Sequence, residues 1–312
     1  PHPPSPGLLP RERSWAPGAV VDPLPTTALP RDSASPRARS LCAHRGVHKL
    51  VRRLRRPRWF PQDDFELVRI LAKGSFGVVH LARRKADGRE YALKQVAMRD
   101  YKRSEREEAI DEARVLASLN SPHVVRYHDC FIEDDQLNIV MEYASGGTAY
   151  DLIARTYRTG MPEELVWRFF LQCLKGLQYM HSRGIIHRDI TTENIFLDAQ
   201  FNAQIGDLGI AQRDTETAYK SRDVLSGEPC SESSDVHALG VCLYEFMMGK
   251  NPFQGKNEEE VKKNVMHRKY EKVGYDLPYS KKLVSLVNGL VRGLQPPDGQ
   301  ALDANYLLEM YG

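Results

Sequence analysis

The chain has 312 residues, 44 Lys or Arg against 41 Asp or Glu, and a 41% hydrophobic fraction, enough to bury one large core or two modest ones. That composition excludes disorder throughout, and a membrane-spanning helix of roughly 18 residues is excluded too, because the richest apolar run, Leu283 to Leu294, is broken by Asn288 and Arg292. Five scattered cysteines (Cys42, Cys130, Cys173, Cys230 and Cys242) without C-x-x-C spacing argue against a disulfide framework or a zinc site. The expected location is cytoplasmic, with the nucleus or the cytoskeleton as further possibilities.

The net charge of +3 conceals an asymmetry. Residues 1 to 61 hold about twelve Arg or Lys against about three Asp or Glu, leaving the remainder mildly acidic. Pro1 to Ser40, rich in Pro, Arg, Ser and Ala without period, cannot bury enough apolar surface to offset the entropy of ordering. This stretch reads as a disordered tail. From Leu41 to Arg58, Val47, Leu50, Val51 and Leu54 have helical spacing, with Arg52, Arg53, Arg55, Arg56 and Arg58 around them. Four readings stay open for this basic segment: a nuclear-import signal, a patch for acidic membranes, a nucleic-acid contact and a solvated charged linker. Nucleic acid is expected as a partner only through this tail.

From Phe65 the period shortens to that of strands, predicted over Phe65 to Leu71, Val78 to Arg83 and Glu90 to Met98. Ser104 and Glu107 make a capping box for a helix running to about Leu119, which Pro122 stops. Strands at Val124 to Ile132 and Gln136 to Tyr143 complete a five-stranded antiparallel sheet. Beyond Gly146-Gly147 the periodicity is helical, most strongly over Pro162 to Arg183, Ser234 to Met248, Asn257 to Arg268 and Ser280 to Leu294. The fold class is α+β, with a small antiparallel sheet lobe carrying one helix ahead of a larger, mainly helical lobe.

Four spaced elements carry chemistry. Lys73-Gly74-Ser75-Phe76-Gly77-x-Val79 lies between two strands, where glycines let backbone N–H groups approach phosphate oxygens. Tyr91-Ala92-Leu93-Lys94 follows on the third strand, and Glu112, on the next helix, is placed to hold the Lys94 ammonium. His187-Arg188-Asp189-Ile190-Thr191-Thr192-Glu193-Asn194 has the order and spacing H-R-D-x-x-x-x-N, a more specific pattern than any glycine loop. In Gly206-Asp207-Leu208-Gly209, Asp207 lies thirteen residues after Asn194 and adds a carboxylate, a hard oxygen ligand of the kind Mg²⁺ prefers.

On these motifs the chain resembles the eukaryotic protein kinases over about 250 residues. Among them it is most similar to the NIMA-related kinases, through Ala109 to Arg114, Ile139 to Tyr143, Asn194 to Leu197 and Gly206 to Gly209. The resemblance implies a two-lobed kinase domain over 62–312, with lobes at 62–141 and 146–312 and a hinge at 142–145, that binds ATP and Mg²⁺ and phosphorylates a protein substrate. It assigns Asp189 as base, Lys94 to the α/β-phosphates with Glu112 as its partner, and Asn194 and Asp207 to the metal. Nucleotide contacts fall to Leu71, Ala72, Lys73, Gly74, Ser75, Phe76 and Gly77 in the loop. Val79 and Ala92 form the adenine roof, Phe196 its floor, Met141 is the gatekeeper, and Glu142 and Ala144 offer hinge backbone groups.

Several positions depart from the family's pattern. Ala72 replaces the first glycine of the loop, Leu208 a phenylalanine, and Thr191 the lysine that neutralises the phosphoryl group in flight. Losing that cation costs on the order of a few kcal/mol of barrier. Ser221-Arg222-Asp223 stands where A-P-E or S-P-E is expected, and the ion pair of that motif is replaced by Asp223 and Gly299. Asp235 matches the helix aspartate that braces the catalytic loop, while His237 replaces a tryptophan and is assigned to packing. Two readings stay open for Arg188: it pairs with a phosphate on Thr215, Thr217, Tyr219 or Ser221, which would imply a regulatory partner or an activating kinase, or these are ordinary loop hydroxyls. Two expectations remain: a serine/threonine kinase, and a catalytically weak or dead kinase serving as a nucleotide-binding scaffold.

Overall fold

The computed structural model describes residues 64–74, 77–99, 102, 106, 110, 116–207, 217–294, 296 and 302–312, all within the unit Cys42–Gly312. The tail expected over 1 to 61 lies outside them, as do Ser75, Phe76, Glu112, Leu208, Thr215 and Gly299.

Five strands, β1 (Phe65–Gly74), β2 (Gly77–Arg84), β3 (Glu90–Ala97), β4 (Tyr127–Glu133) and β5 (Gln136–Glu142), form an antiparallel sheet in the order β1-β2-β3-β5-β4. The β4–β5 connection is two residues long, and both Asp134 and Asp135 have positive φ, 49° and 57°, the handedness that matches strand twist in tight hairpins. Side chains alternate across the pleat. Phe65, Ala82, Tyr91, Leu93, Phe131 and Val140 close one cluster, while Ala92, Val96, Ile139 and Met141 face the main core. The fourth strand begins later than its apolar run, which starts at Val124, because Val124 instead makes a parallel bridge to Ile205. Of the helix expected from Ser104 to Leu119, Arg106, Ile110 and residues 116–119 are described, with Leu116 and Leu119 buried.

A short sheet follows, β6 (Gly147–Thr148), β7 (Ile195–Leu197) and β8 (Ala203–Ile205), in that order. Helix α1 (Ala149–Thr156) starts on a capping box in which the Asp151 amide donates to Thr148 Oγ1 at 3.0 Å. Helix α2 (Glu163–His181) buries Val166, Phe169, Phe170, Cys173, Leu174, Leu177 and Met180, the i, i+3, i+4, i+7 stripe of a core-facing helix. The short α3 (Arg222–Leu225) is followed by α4 (Glu232–Met248), α5 (Glu258–Met266), α6 (Lys281–Arg292) and α7 (Ala304–Tyr311). Sequence periodicity did not anticipate α1, α3 or α7, each too short to display a repeating stripe. Helix α4 is buried on all sides from Asp235 to Met247, so it forms the centre of the helical lobe. It stops at Gly249, whose φ of 66° is the left-handed conformation that glycine adopts cheaply.

His237 sits on α4 against α6, hydrogen-bonded to the Leu290 backbone, with Asp223 and Arg268 in electrostatic range. Its packing role is the one expected from sequence. Burial pushes its imidazole down from 6.5 to about 4. The unfolded chain therefore takes up this proton first as pH falls, and the stabilisation present above pH 6.5 is lost between about pH 6.5 and pH 4. His237→Phe should flatten this acid loss. Urea denaturation at pH 7 and pH 5 measures it, and an equal loss in variant and parent would refute the assignment.

Candidate active site

The helical core first fixes the loop between α2 and β7. Asp235, near the N-terminus of α4, is 1% exposed and its carboxylate accepts three hydrogen bonds. His187 N–H donates to Oδ2 and Arg188 N–H to Oδ1, both at 2.8 Å, and His181 Nε2 donates to Oδ2 at 2.9 Å. Burying a carboxylate is tolerable when its lone pairs are filled in this way. The clamp also secures a strained turn, since Arg188 has a φ of 72°, a left-handed value costly for a non-glycine residue.

His187 extends the clamp. Its Nδ1 accepts from the Asp189 amide at 3.2 Å, which makes Nε2 the donor toward the Gly206 carbonyl at 3.0 Å. One ring thus ties the turn before Asp189 to the turn before Asp207. The β7–β8 pairing of Ile195 with Ile205 brings the same two segments together, and Gly206 N–H donates to the Asn194 carbonyl at 2.9 Å. Residues twelve apart in sequence become neighbours through a hairpin register.

Asn194 donates from Nδ2 to the Asp189 carbonyl at 2.9 Å and to Asp189 Oδ2 at 2.8 Å. Across the seam, Lys94 Nζ pairs with Asp207 Oδ1. The lysine partner expected from sequence, Glu112, lies outside the described residues, and the pair with Asp207 was not anticipated. Lys94 is aligned on the sheet with Val79 on one side and Ile139 on the other. Asp207 has a φ of 57°, again left-handed, immediately after a glycine that has no room for a side chain.

Five of the remaining predicted positions, Leu71, Val79, Ala92, Met141 and Phe196, belong to or pack against the main core. Ala92 is paired with Met141, both belong to the main core cluster, and Leu71, Val79 and Phe196 pack against it. Ala72 and Lys73 are exposed on β1, paired with Val79 and Val78, and Gly74 pairs with Gly77. Gly77 has a φ of 137°, and a Cβ there would lie 1.9 Å from the Gln95 carbonyl oxygen, so glycine is required at this corner. In the hinge, Glu142 N–H donates to the Arg126 carbonyl and Gly147 N–H to the Ala144 carbonyl.

Thr191 is buried, and its Oγ1 and carbonyl both accept from the Asn194 amide, at 3.3 and 3.1 Å. The hydroxyl in the lysine's place therefore closes the turn that presents Asn194.

Of the two readings for the hydroxyls near Arg188, three of the four fit the ordinary-hydroxyl one. Thr217 and Tyr219, on a single 3₁₀ turn, and Ser221 are all buried. Thr217 Oγ1 donates to Glu258 Oε1 at 2.6 Å, Tyr219 OH donates to Glu245 at 2.9 and 3.0 Å, and Ser221 Oγ caps α3 by accepting from Val224 N–H at 3.4 Å. Two of the three face carboxylates, a poor environment for a dianion.

Sequence reading also missed Glu245. It lies on α4 within an apolar run from Val241 to Met247, and a lone charge in such a run was the available signal. Thr192 Oγ1, Tyr219 OH and Asn251 Nδ2 all donate to it. Burial pushes its carboxyl up to about 7 against the pull of those three bonds, with Glu193 adding to the rise. Burial and the adjoining Glu245 also push the Tyr219 phenol up, so that it remains a donor.

The family described as "protein kinase domain" matches residues 65–295. Serine/threonine-protein kinase Nek8 of Danio rerio is 35% identical over 206 residues, covering 62% of this chain and 30% of that protein. The probable serine/threonine-protein kinase nek2 of Dictyostelium discoideum is 34% identical over 228 residues, covering 68% and 54%. Serine/threonine-protein kinase Nek4 of Mus musculus is 34% identical over 209 residues, covering 63% and 26%. The chain thus spans between 26% and 54% of the length of these relatives.

Gly206 is a packing constraint at the centre of the site. A Cβ there would come 2.6 Å from Val125 Cγ2 and 2.9 Å from two Phe196 ring atoms. Gly206→Ala should cost about 1–3 kcal/mol through overpacking. Urea denaturation reads this cost, and unchanged stability would contradict the contact.

Proposed function

Because this chain belongs to the protein kinase family, we propose that it is a serine/threonine protein kinase transferring the γ-phosphoryl group of Mg-ATP to a protein hydroxyl. The observation that carries the reading is the convergence of the Lys94–Asp207 and Asn194–Asp189 pairs on two turns stitched by His187. Loop, hinge and base motifs could each occur alone in an unrelated protein. Their meeting at one seam, beneath the sheet face bearing Val79, Ala92 and Met141, is what phosphoryl transfer requires, because that chemistry rests on positioning and electrostatic stabilisation.

The residues fit the nucleotide and the metal. Ala92, Val79 and Met141 above and Phe196 below supply apolar surfaces for a flat base. The Glu142 amide is committed to the Arg126 carbonyl and the Ala144 carbonyl to the Gly147 amide, so the Glu142 carbonyl and the Ala144 N–H are the groups that would hydrogen-bond adenine. Lys94 would turn from Asp207 toward the phosphates. Mg²⁺ takes one or two protein oxygens and completes its shell with phosphate and water. Those oxygens would be the Asp207 carboxylate and the Asn194 amide oxygen, the amide nitrogen being committed to Asp189. Bound there, Mg²⁺ neutralises charge building on the phosphate oxygens.

Asp189 would orient the substrate hydroxyl and accept its proton on the carboxylate that Asn194 steadies. Thr191 provides no cation for the group in flight, so a slow enzyme is expected. The substrate class is protein.

The experiment is transfer from radiolabelled Mg-ATP to a generic protein substrate. Asp189→Ala should lower it by at least about 100-fold. Nucleotide binding without transfer in the parent chain would overturn the reading and leave a scaffold.

A further inference from the structure

We propose that Thr192 is a positioning residue whose hydroxyl links the catalytic loop, through the Glu245 carboxylate, to the activation segment at Tyr219. The inference deepens the kinase reading and rests on it for its kinetic consequences alone. Its structural basis is independent of catalysis.

Thr192 is 0% exposed and lies between Asp189 and Asn194, the two residues that hold the reacting groups. Both of its polar ends are engaged across elements. Its carbonyl accepts from Tyr150 N–H in the first turn of α1 at 3.0 Å, and its Oγ1 donates to Glu245 Oε2 at 2.9 Å. On the same carboxylate, Tyr219 OH donates at 2.9 and 3.0 Å and Asn251 Nδ2 at 2.9 Å. Asn251 is itself fixed, because its Oδ1 accepts from Phe253 N–H at 2.9 Å. A single buried acceptor thus joins the catalytic loop, the turn Thr217–Tyr219 and the segment after α4.

All three donors to this carboxylate are neutral. Removing one leaves part of a buried carboxylate unsatisfied, whereas a hydroxyl-retaining replacement does not. The consequence should be felt at both ends. The 3₁₀ turn would lose its register against α4, and the Asp189 to Asn194 loop would lose the anchor at its midpoint. A methyl in place of the hydroxyl preserves shape and burial, so the effect separates from simple loss of packing. Thr217, held by Glu258 on α5, gives the segment a second attachment that keeps it docked when the first is weakened.

The test compares the parent chain with Thr192→Val, Thr192→Ser and Tyr219→Phe by two readouts. The first is amide hydrogen exchange over residues 217–225, which needs no catalysis. The second is steady-state transfer with generic protein substrate and Mg-ATP. Thr192→Val and Tyr219→Phe should each speed exchange by about tenfold. Both should also lower kcat by about tenfold with KM for ATP held within about twofold. Thr192→Ser should recover most of both losses. If exchange in Thr192→Val matches the parent, or if Thr192→Ser fails as Thr192→Val does, the proposal is wrong. Should Thr192→Val not fold, exchange in Tyr219→Phe and Thr192→Ser decides the matter: parental rates in Tyr219→Phe would overturn the link. A parent chain that exchanges as expected but transfers no phosphate would count against the kinase reading and leave the positioning link standing.

Discussion

One buried carboxylate organises the chemistry of this molecule. Asp235 accepts hydrogen bonds from two consecutive backbone amides and from His181, and those amides belong to a turn that a non-glycine chain would otherwise avoid. Without this acceptor the two N–H groups would be buried and unpaired, a loss large enough to redirect the loop. With it, the peptide before Asp189 has one orientation, and His187 can reach across to the Gly206 carbonyl. The location of Asp207 then follows from a second small constraint, the absence of space for a side chain at residue 206. Rigid helices supply the frame, and a few polar bonds fix the angles.

A second carboxylate, Glu245, works on the same helix two turns and more further along, under different terms. Its donors are two hydroxyls and an amide, and burial dominates its chemistry. Between them the two acceptors make α4 a spine for both sides of the site: Asp235 for the turn carrying Asp189, Glu245 for the middle of that loop and for the segment opposite. The hydroxyl-to-carboxylate contacts of Tyr219 and Thr217 seat the last part of the activation segment without an added charge.

Much of the site was legible in the sequence because its determinants are local. The spacing within His187 to Asn194, the lysine on β3 and the aspartate after Gly206 could be read directly, and Asp235 was recognised by its place in Ser234-Asp235-Val236-His237. Strands β1, β2, β3 and β5 followed from alternation, and α2, α4, α5 and α6 from their helical apolar runs. What escaped was set by tertiary pairing. The start of β4 moved because Val124 chose Ile205 as partner, and Lys94 met Asp207, 113 residues away. Hydroxyls that look in sequence like candidates for modification were buried, Thr217 and Tyr219 as donors and Ser221 as a helix cap, which no local pattern records. The helices missed were short, their ends set by caps such as Thr148, Ser221 and Asp303 rather than by repeating apolar stripes.

The central claim is that a single acceptor on α4 sets the geometry of the reacting loop, and Asp235→Asn tests it most directly because an amide cannot accept all three bonds. Amide exchange at residues 187 and 188, measured together with phosphoryl transfer from Mg-ATP, should show protection lost and transfer reduced by about 100-fold, while ATP still binds. Protected amides and parental transfer in the variant would contradict the account.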